Sequence, residues 1–190
     1  MRRLDLVIGP NGAGKSTFVE YTLAPLLPGS VFVNADLIAR RRWPEEAEAR
    51  SYDAARIAAA TRERLIDDGR SFIAETVFSH ESKLELIDRA HAAGYFVVLH
   101  VLLVPEALAV LRVAYRQSAG GHSVPEHKIR ARYRRLWPLA ADAVHRTDEA
   151  TVYNTALDRA PTIVAEFTQG VLVGAARWPE WAPGELVRLG

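Results

Sequence analysis

The chain has 190 residues, which is enough for one well-buried domain and too few for two full ones. Hydrophobic residues make up 49% and the formal net charge is +1, so no global field would hold nucleic acid by charge. The absence of cysteine excludes disulfides and thiolate metal sites. Because the sequence shows neither a signal-peptide pattern nor an apolar run long enough to span a bilayer, we expect a cytoplasmic protein without membrane contact.

Apolar, β-rich runs alternate with longer helical stretches, which predicts an α/β fold with a mostly parallel five-stranded sheet flanked by helices. In the first half we predict strand 4–8, helix 15–26, strand 31–34, helix 45–68, strand 71–74 and helix 81–93. The long helix is expected to carry Tyr52, Ala55, Ala59 and Ile66 on one face.

In the second half, strand 95–104 is the most continuously apolar segment and is expected at the sheet centre. Helix 106–117 should break at Gly120-Gly121, and a further helix should start near Pro125. A fifth strand over 150–153 precedes a predicted strand pair over 162–167 and 171–173 and an irregular tail. We expect one domain over 1–190, with a helical lid over about 106–146 and the C-terminal strand pair and tail over about 160–190.

A phosphate-binding loop (P-loop) motif, G-x-x-x-x-G-K-S, lies between the first predicted strand and helix. Its glycines let backbone N–H groups curl around phosphate oxygens, Lys15 supplies a cation for the β- and γ-phosphates, and the Ser16 hydroxyl is a magnesium ligand. A glycine-rich turn with a chance lysine is the alternative, which the strand–loop–helix context disfavours. The segment therefore predicts binding of ATP and Mg²⁺ by Gly9, Pro10, Asn11, Gly12, Ala13, Gly14, Lys15, Ser16 and Thr17.

Two carboxylates follow predicted strands, at the edge where open parallel sheets bind ligands. We assign the general base to Asp36, and substrate or metal positioning to Glu75. Asp36 could instead cap the helix expected to start at Leu37. Thr76 and Ser79 could bind a polar substrate or cap the following helix.

An arginine-rich segment predicts the lid, because phosphoryl transfer needs cations over the equatorial oxygens. Arg112 and Arg116 are one turn apart, as are Lys128 and Arg132, and His122 in the glycine hinge could touch phosphate or substrate. A solvated basic face is one alternative. Nucleic-acid binding, with Tyr115 and Tyr133 as stacking partners, is the other, and the near-neutral charge disfavours it.

Four segments in order resemble the zeta-toxin family of P-loop kinases over about residues 4–154: 9–17, Asn34-Ala35-Asp36, Glu75-Thr76 and Gly120-Gly121-His122-Ser123-Val124-Pro125. The resemblance implies a P-loop kinase fold with a helical lid. The best-known members phosphorylate a sugar hydroxyl of UDP-N-acetylglucosamine, and an antitoxin partner would be possible.

By motif matching, the resemblance implies phosphate and magnesium roles for Lys15 and Ser16, and the base role for Asp36. It implies substrate roles for Glu75 and Thr76, and lid roles for Arg112 and Arg116. Toxin members carry an arginine shortly before the lid proline, where this chain has Gly121-His122, so Arg132 or a neighbour is expected to substitute. Asn154, after the fifth strand, is expected near the adenine.

These features favour an ATP-dependent kinase that phosphorylates a hydroxyl of a nucleotide-sugar or another small polar metabolite. A P-loop ATPase acting as a switch or motor is a second hypothesis, and it would recruit Glu75 to activate water. A polynucleotide 5′-hydroxyl kinase is a third, with the lid arginines lining a strand groove.

Overall fold

A computed structural model describes residues 1–118, 124–157 and 160–190. Within these ranges one seven-stranded sheet has the order β2-β3-β1-β4-β5-β6-β7. The strands are β1 (Arg3–Ile8), β2 (Val31–Asn34), β3 (Phe72–Thr76), β4 (Phe96–Leu103), β5 (Glu149–Asn154), β6 (Thr162–Thr168) and β7 (Val171–Val173). The helices are α1 (Lys15–Phe18), α2 (Ala35–Arg42), α3 (Ser51–Asp67), α4 (Ser82–Ala92), α5 (Glu106–Ser118), α6 (Glu126–Arg146) and α7 (Gly184–Val187).

The sheet confirms the predicted α/β fold class and corrects its strand count. The first five strands in spatial order are parallel, as predicted. The predicted C-terminal pair, β6 and β7, does not stand apart: β6 pairs antiparallel with β5, and β7 with β6. The sheet is therefore mixed, with seven strands rather than five.

The strand order brings the ends of β1, β2 and β3 to one edge of the sheet. β3 lies between β2 and β1, and Glu75 stands beside Asn34 on one side and Val7 on the other. Parallel strands end at the same edge, so side chains after these three strands share one crevice.

The core lies on both faces of the sheet. Leu4, Leu6 and Ile8 of β1 belong to a large cluster with residues of α3, α4 and α6, and Val7 belongs to a smaller cluster with Phe18. Strand β4 is buried from Val97 to Leu103, as expected of a central strand. No helix within the described ranges is both long and apolar enough to cross a bilayer.

Two predicted helices differ from the structure. The helix predicted over 15–26 is α-helical only to Phe18, and a π-helical turn, Val19–Leu23, and a 3₁₀ turn, Ala24–Leu26, follow it. Pro25 has no N–H to continue an α-helix. The helix predicted from residue 45 begins at Ser51, after a series of turns.

The predicted face of α3 is buried at Ile66, but its other members are not. Tyr52 is 86% exposed and Ala55 is exposed, whereas the buried residues are Ala54, Ala58, Arg62, Leu65 and Ile66. This stripe carries an arginine, a residue type that is almost never fully buried unless it is paired. Hydrophobic patterning therefore pointed to the wrong side of the helix.

A polar network is buried at the centre of the sheet. The Asp5 carboxylate is 1% exposed and accepts hydrogen bonds from Arg3 Nε (2.7 Å), Arg3 Nη2 (2.8 Å) and His100 Nε2 (2.9 Å). Burial would raise the pKa of Asp5, but the hydrogen bonds and charges of Arg3 and His100 hold it below its ordinary value. The ionised carboxylate is thus the form that the fold stabilises.

The turn after β1 packs tightly against α5. At Gly12, which has a φ of 80°, an added Cβ would lie 2.5 Å from the carbonyl oxygen of Ala109. At Gly14, with a φ of 81°, an added Cβ would meet no atom within 4 Å. The positive φ favours glycine at both positions. Of the two, position 12 also has no room for a side chain, because a Cβ there would overlap Ala109.

We predict that Asp5→Asn lowers the free energy of unfolding by about 3–5 kcal/mol at pH 7, because it removes the buried anion that half-buried Arg3 and buried His100 contact. A depressed carboxylate pKa gives stability that is present above the unfolded-state pKa and lost as the pH falls through the folded-state pKa. The deficit in the variant should therefore shrink in acid. Urea unfolding from pH 7 to about pH 3 measures it, with exposed Asp142→Asn as control. A deficit that is constant with pH would contradict the prediction.

We also predict that Gly12→Ala destabilises the nucleotide-free protein more than Gly14→Ala does. Each variant carries about 1–2 kcal/mol of left-handed backbone strain, and Gly12→Ala adds about 1–3 kcal/mol for the overlap with Ala109. Urea unfolding of the two variants makes the comparison. Equal losses would show that the packing against α5 contributes nothing.

Candidate active site

The loop from Gly9 to Lys15 connects β1 to α1 and buries its lysine. Lys15 is 7% exposed, and its ammonium donates a hydrogen bond to the carbonyl oxygen of Pro10 at 2.9 Å. The Ala13 N–H also donates to that carbonyl, at 3.2 Å, and Gly14 immediately precedes α1. The strand–loop–helix context predicted for the motif is thus present, with the cation held inside the curl of the loop.

Four charged side chains from four other elements act on the Lys15 ammonium. Burial lowers the pKa of Lys15, and the carboxylates of Glu75 and Asp36 oppose that shift. Arg116 and Arg132 lower the pKa further. The structure therefore brings together the predicted P-loop lysine, both predicted carboxylates and two of the three predicted lid arginines.

Glu75 connects β3 with β2 and with the first turn of α1 at the edge of the sheet. Its Oε2 atom accepts hydrogen bonds from Ser16 Oγ at 2.9 Å and from Asn34 Nδ2 at 2.5 Å. A strand-end carboxylate and the P-loop hydroxyl thus present oxygen atoms at one point. This pair is the chemistry that a hard divalent cation prefers.

Asp36 is exposed in the first turn of α2. The capping role considered for it belongs to Asn34, whose Oδ1 accepts a hydrogen bond from the Leu37 N–H at 3.0 Å. Because α2 begins at Ala35, Asp36 is already inside the helix. Its carboxylate does not cap the helix, and its negative charge raises the pKa of Lys15 in the crevice.

The loop after β3 has an unusual backbone. Thr76 Oγ1 accepts a hydrogen bond from the Phe78 N–H at 3.3 Å, so it stabilises a local turn and does not cap α4. Phe78 has a φ of 60° and is fully buried. A bulky residue in the left-handed region is a true outlier, and such strain concentrates at functional sites. Ser79, half-buried, follows directly.

The basic segment divides into residues that face the P-loop lysine and residues held elsewhere. Arg112 donates from Nη1 to the Thr155 carbonyl oxygen at 2.8 Å and from Nη2 to that of Ala156 at 3.1 Å. Arg116 is exposed and Arg132 half-buried, and both act on Lys15. The guanidinium of Arg112 thus binds the loop after β5. Its predicted catalytic role remains a prediction.

Two further predicted contacts concern the nucleotide and the hinge. Asn154 ends β5, and its Oδ1 accepts a hydrogen bond from the Ala156 N–H at 2.9 Å, in the same loop that Arg112 holds. Its expected place near adenine stays a prediction. Gly120, Gly121 and His122 lie outside the described residues.

Sequence reasoning missed the roles of two residues. From the sequence, Asn34 is placed in a strand and in a family motif but is assigned no cap, although an asparagine three residues before Leu37 is a recognisable capping signal. Phe78 gave no signal, because nothing in its sequence neighbourhood predicts a positive φ for a buried aromatic residue.

The comparisons with known proteins agree with this geometry. The sequence model of the Zeta toxin family matches residues 2–162. A search of curated proteins finds no match.

Several solved structures share the fold. A chain of the AvrRxo1-ORF1:-ORF2 complex with ATP has a TM-score of 0.70 at 15% identity, covering 91% of this chain and 60% of that one. A chain from the PezAT chromosomal toxin-antitoxin system of Streptococcus pneumoniae has a TM-score of 0.65 at 14% identity, with coverages of 87% and 72%. A gluconokinase from Sinorhizobium meliloti has a TM-score of 0.54 at 20% identity, with coverages of 83% and 86%.

The present chain thus spans about three-fifths of the AvrRxo1 chain that it resembles. At these identities the likeness shows a common fold, that of P-loop kinases. The family match extends over most of the sequence and includes the P-loop, both strand-end carboxylates and the basic helices. The chain belongs to the zeta-toxin family of P-loop kinases.

Proposed function

We propose that the protein transfers the γ-phosphoryl group of ATP to a hydroxyl group of a small polar acceptor. The observation that carries the proposal is the convergence on the Lys15 ammonium of two carboxylates, Glu75 and Asp36, and two guanidinium groups, Arg116 and Arg132. Phosphoryl transfer needs cations at the transferring group and a carboxylate beside the attacking hydroxyl. Both kinds of group meet in this crevice.

Mg²⁺ fits the oxygen pair formed by Ser16 and Glu75. Their hydrogen bond of 2.9 Å brings a hydroxyl and a carboxylate oxygen together. The described residues contain no cluster of three or more His, Cys, Asp or Glu side chains that could hold a metal. Such a sparse donor set suits Mg²⁺, which keeps waters and takes phosphate oxygens as ligands. When bound, the ion would neutralise charge on the phosphate oxygens.

Asp36 is proposed as the general base. As the acceptor oxygen forms its bond to the γ-phosphorus, the bond from that phosphorus to the bridging oxygen of ATP breaks, and ADP leaves. The Asp36 carboxylate accepts the proton that the hydroxyl loses. Exposure at the first turn of α2 leaves its oxygens accessible to an acceptor.

The lid arginines are proposed to stabilise the transferred group. Arg116 and Arg132 come from different helices, α5 and α6, and both act on Lys15. They are therefore placed to meet negative charge beside the same ammonium. Arg112 is proposed to hold the loop that carries Asn154, on the nucleotide side of the site.

UDP-N-acetylglucosamine is the first acceptor to test, because the family resemblance implies it. Glu75, Thr76 and Ser79 are proposed to contact the acceptor, since Glu75 and Thr76 end β3, the strand next to the P-loop strand, and Ser79 follows it. His122 stays a proposed substrate contact from the sequence.

A protein partner is a further part of the proposal. One similar structure is a complex of AvrRxo1-ORF1 with -ORF2, and another comes from a toxin-antitoxin system. We propose that an antitoxin-like protein controls this kinase and that the protein acts in the cytoplasm as a single domain.

Labelled ATP tests the function directly. The protein is incubated with γ-labelled ATP and Mg²⁺, in separate reactions with UDP-N-acetylglucosamine, a metabolite extract and a 5′-hydroxyl oligonucleotide. We expect a labelled small molecule, and no product with Lys15→Ala, because loss of that ammonium costs about 3–4 kcal/mol of transition-state stabilisation. Label on the oligonucleotide would favour the polynucleotide kinase, and release of phosphate without any labelled product would favour the ATPase.

We predict that Asp36→Asn abolishes transfer to the acceptor while ATP binding is retained. The amide cannot accept the hydroxyl proton, so kcat should fall by about 10²–10⁴. Calorimetry with a non-hydrolysable ATP analogue should give a Kd close to that of the unmodified protein. Asp142→Asn, on the surface of α6, is the matched control and should keep full activity. Full activity in Asp36→Asn would show that another group is the base.

A further inference from the structure

A cavity opens at the amino ends of the parallel strands, whereas the P-loop lies at their carboxyl ends. Its volume is about 450 Å³, within the range of about 300–1,000 Å³ that small-molecule sites occupy. Arg3, Ser30 and Ser71 line it, at the points where β1, β2 and β3 begin. Because a strand rises about 3.3 Å per residue, the length of β1 puts about 20 Å between this cavity and the P-loop. The cavity is therefore separate from the candidate active site.

Hydrogen bonds hold the walls of this cavity in place. The Arg3 N–H donates to Ser71 Oγ at 3.1 Å, and the Val31 N–H donates to the Ser71 carbonyl oxygen at 3.4 Å. In the loop before β2, the Ser30 N–H donates to the Leu27 carbonyl oxygen at 3.1 Å and closes a turn. A ligand would therefore meet walls that are already ordered, which lowers the entropic cost of binding.

The charged part of the lining is positive. It contains the side chains of Arg3 and Arg70, and no Asp or Glu is among the residues that line the cavity. Arg3 donates to the buried Asp5 carboxylate from Nε and Nη2, and its Nη1 atom forms no hydrogen bond among the described residues. The exposed Arg70 guanidinium forms neither a hydrogen bond nor an ion pair with that part of the chain. Both groups thus keep N–H donors for an anion.

The apolar part of the lining comes from the end of the 3₁₀ turn and the residues that follow it. These residues are Leu26, Leu27 and Pro28. Leu26 is 73% exposed, and covering a leucine side chain with an apolar group is favourable. The cavity therefore combines cations and hydroxyl groups with an apolar surface.

We propose that this cavity binds a small organic anion that carries a carboxylate or a phosphate on an apolar group. Guanidinium groups match the paired oxygens of either head group, and the hydroxyls of Ser30 and Ser71 can donate to the same oxygens. Leu26 and Leu27 would cover the apolar group. This second site does not depend on the proposed kinase function.

Phenyl phosphate and benzoate are the probes, and inorganic phosphate and benzyl alcohol represent their anionic and apolar halves. Calorimetric titration into the full chain should show that at least one whole probe binds, at least about tenfold more tightly than either half. The head group that binds more tightly identifies the ligand class. The proposal is overturned if neither probe binds at about 1 mM, or if a half binds as tightly as the whole.

Substitutions in the lining test the position of the bound probe. Arg70→Gln should weaken binding by about tenfold, because a charge-assisted hydrogen bond is lost. Leu26→Glu should weaken binding more than Leu26→Gln does, because only the first adds a negative charge. Arg64→Gln is the matched control, since its side chain is 81% exposed near the end of α3 and does not line the cavity. Unchanged binding in both Arg70→Gln and Leu26→Glu, or an equal loss in Arg64→Gln, would overturn the proposal.

Lys15→Ala tests whether the probe enters the P-loop instead. Binding of the probe should be the same in this variant, and a non-hydrolysable ATP analogue with Mg²⁺ should not displace it from the unmodified protein. Loss of binding in Lys15→Ala, or displacement by the analogue, would overturn the second site. Failure of the analogue itself to bind would contradict the kinase proposal and leave the result for the cavity standing.

Amide NMR gives a readout that needs no substitution. In two-dimensional spectra of the unmodified protein, the probe should shift the backbone amide signals of Ser30, Arg70 and Ser71. The amide signals of Gly12 and Gly14 in the P-loop should stay in place. Shifts confined to the P-loop would show that the cavity does not bind the probe.

Discussion

The burial of one ammonium group organises this protein. Lys15 is 7% exposed, and among the described residues its ammonium has the Pro10 carbonyl oxygen as its hydrogen-bond acceptor, at 2.9 Å. The charged form of a desolvated ammonium is stable only if nearby charges compensate for the lost hydration. The surrounding field comes from the first turn of α2 and from β3, which supply carboxylates, and from α5 and α6, which supply guanidinium groups. The strand order matters for this reason, since it places these groups around one loop.

Negative and positive side chains reach the crevice from different elements. Oxygen donors gather on the β2–β3 side, where Glu75 binds both Ser16 and Asn34, and guanidinium groups approach from the helices after β4. The site as a whole suits a reaction in which a proton leaves one molecule while several negative oxygens are held in place.

Sequence patterns predicted the parts of this protein whose chemistry is local. The P-loop motif is contiguous, and the apolar runs before Asp36 and Glu75 indicate the two strands that position these carboxylates. Patterning failed where tertiary context decides. The buried face of α3 contains Arg62, which hydrophobic periodicity rejects, and the positive φ of Phe78 comes from packing that no local motif encodes. The two C-terminal strands are predicted from the sequence, but the pairing of β6 with β5 depends on contacts between side-by-side strands that the local pattern does not encode.

The contacts of α5 divide that helix mechanically. Its first turn lies against the phosphate loop at Gly12, and Arg112, two turns along, is fastened to the chain beyond β5. Those two attachments fix the beginning of the helix to the phosphate loop and to the segment after β5. A movement of Arg116 towards a bound triphosphate would therefore be confined to the short part of α5 that follows Arg112.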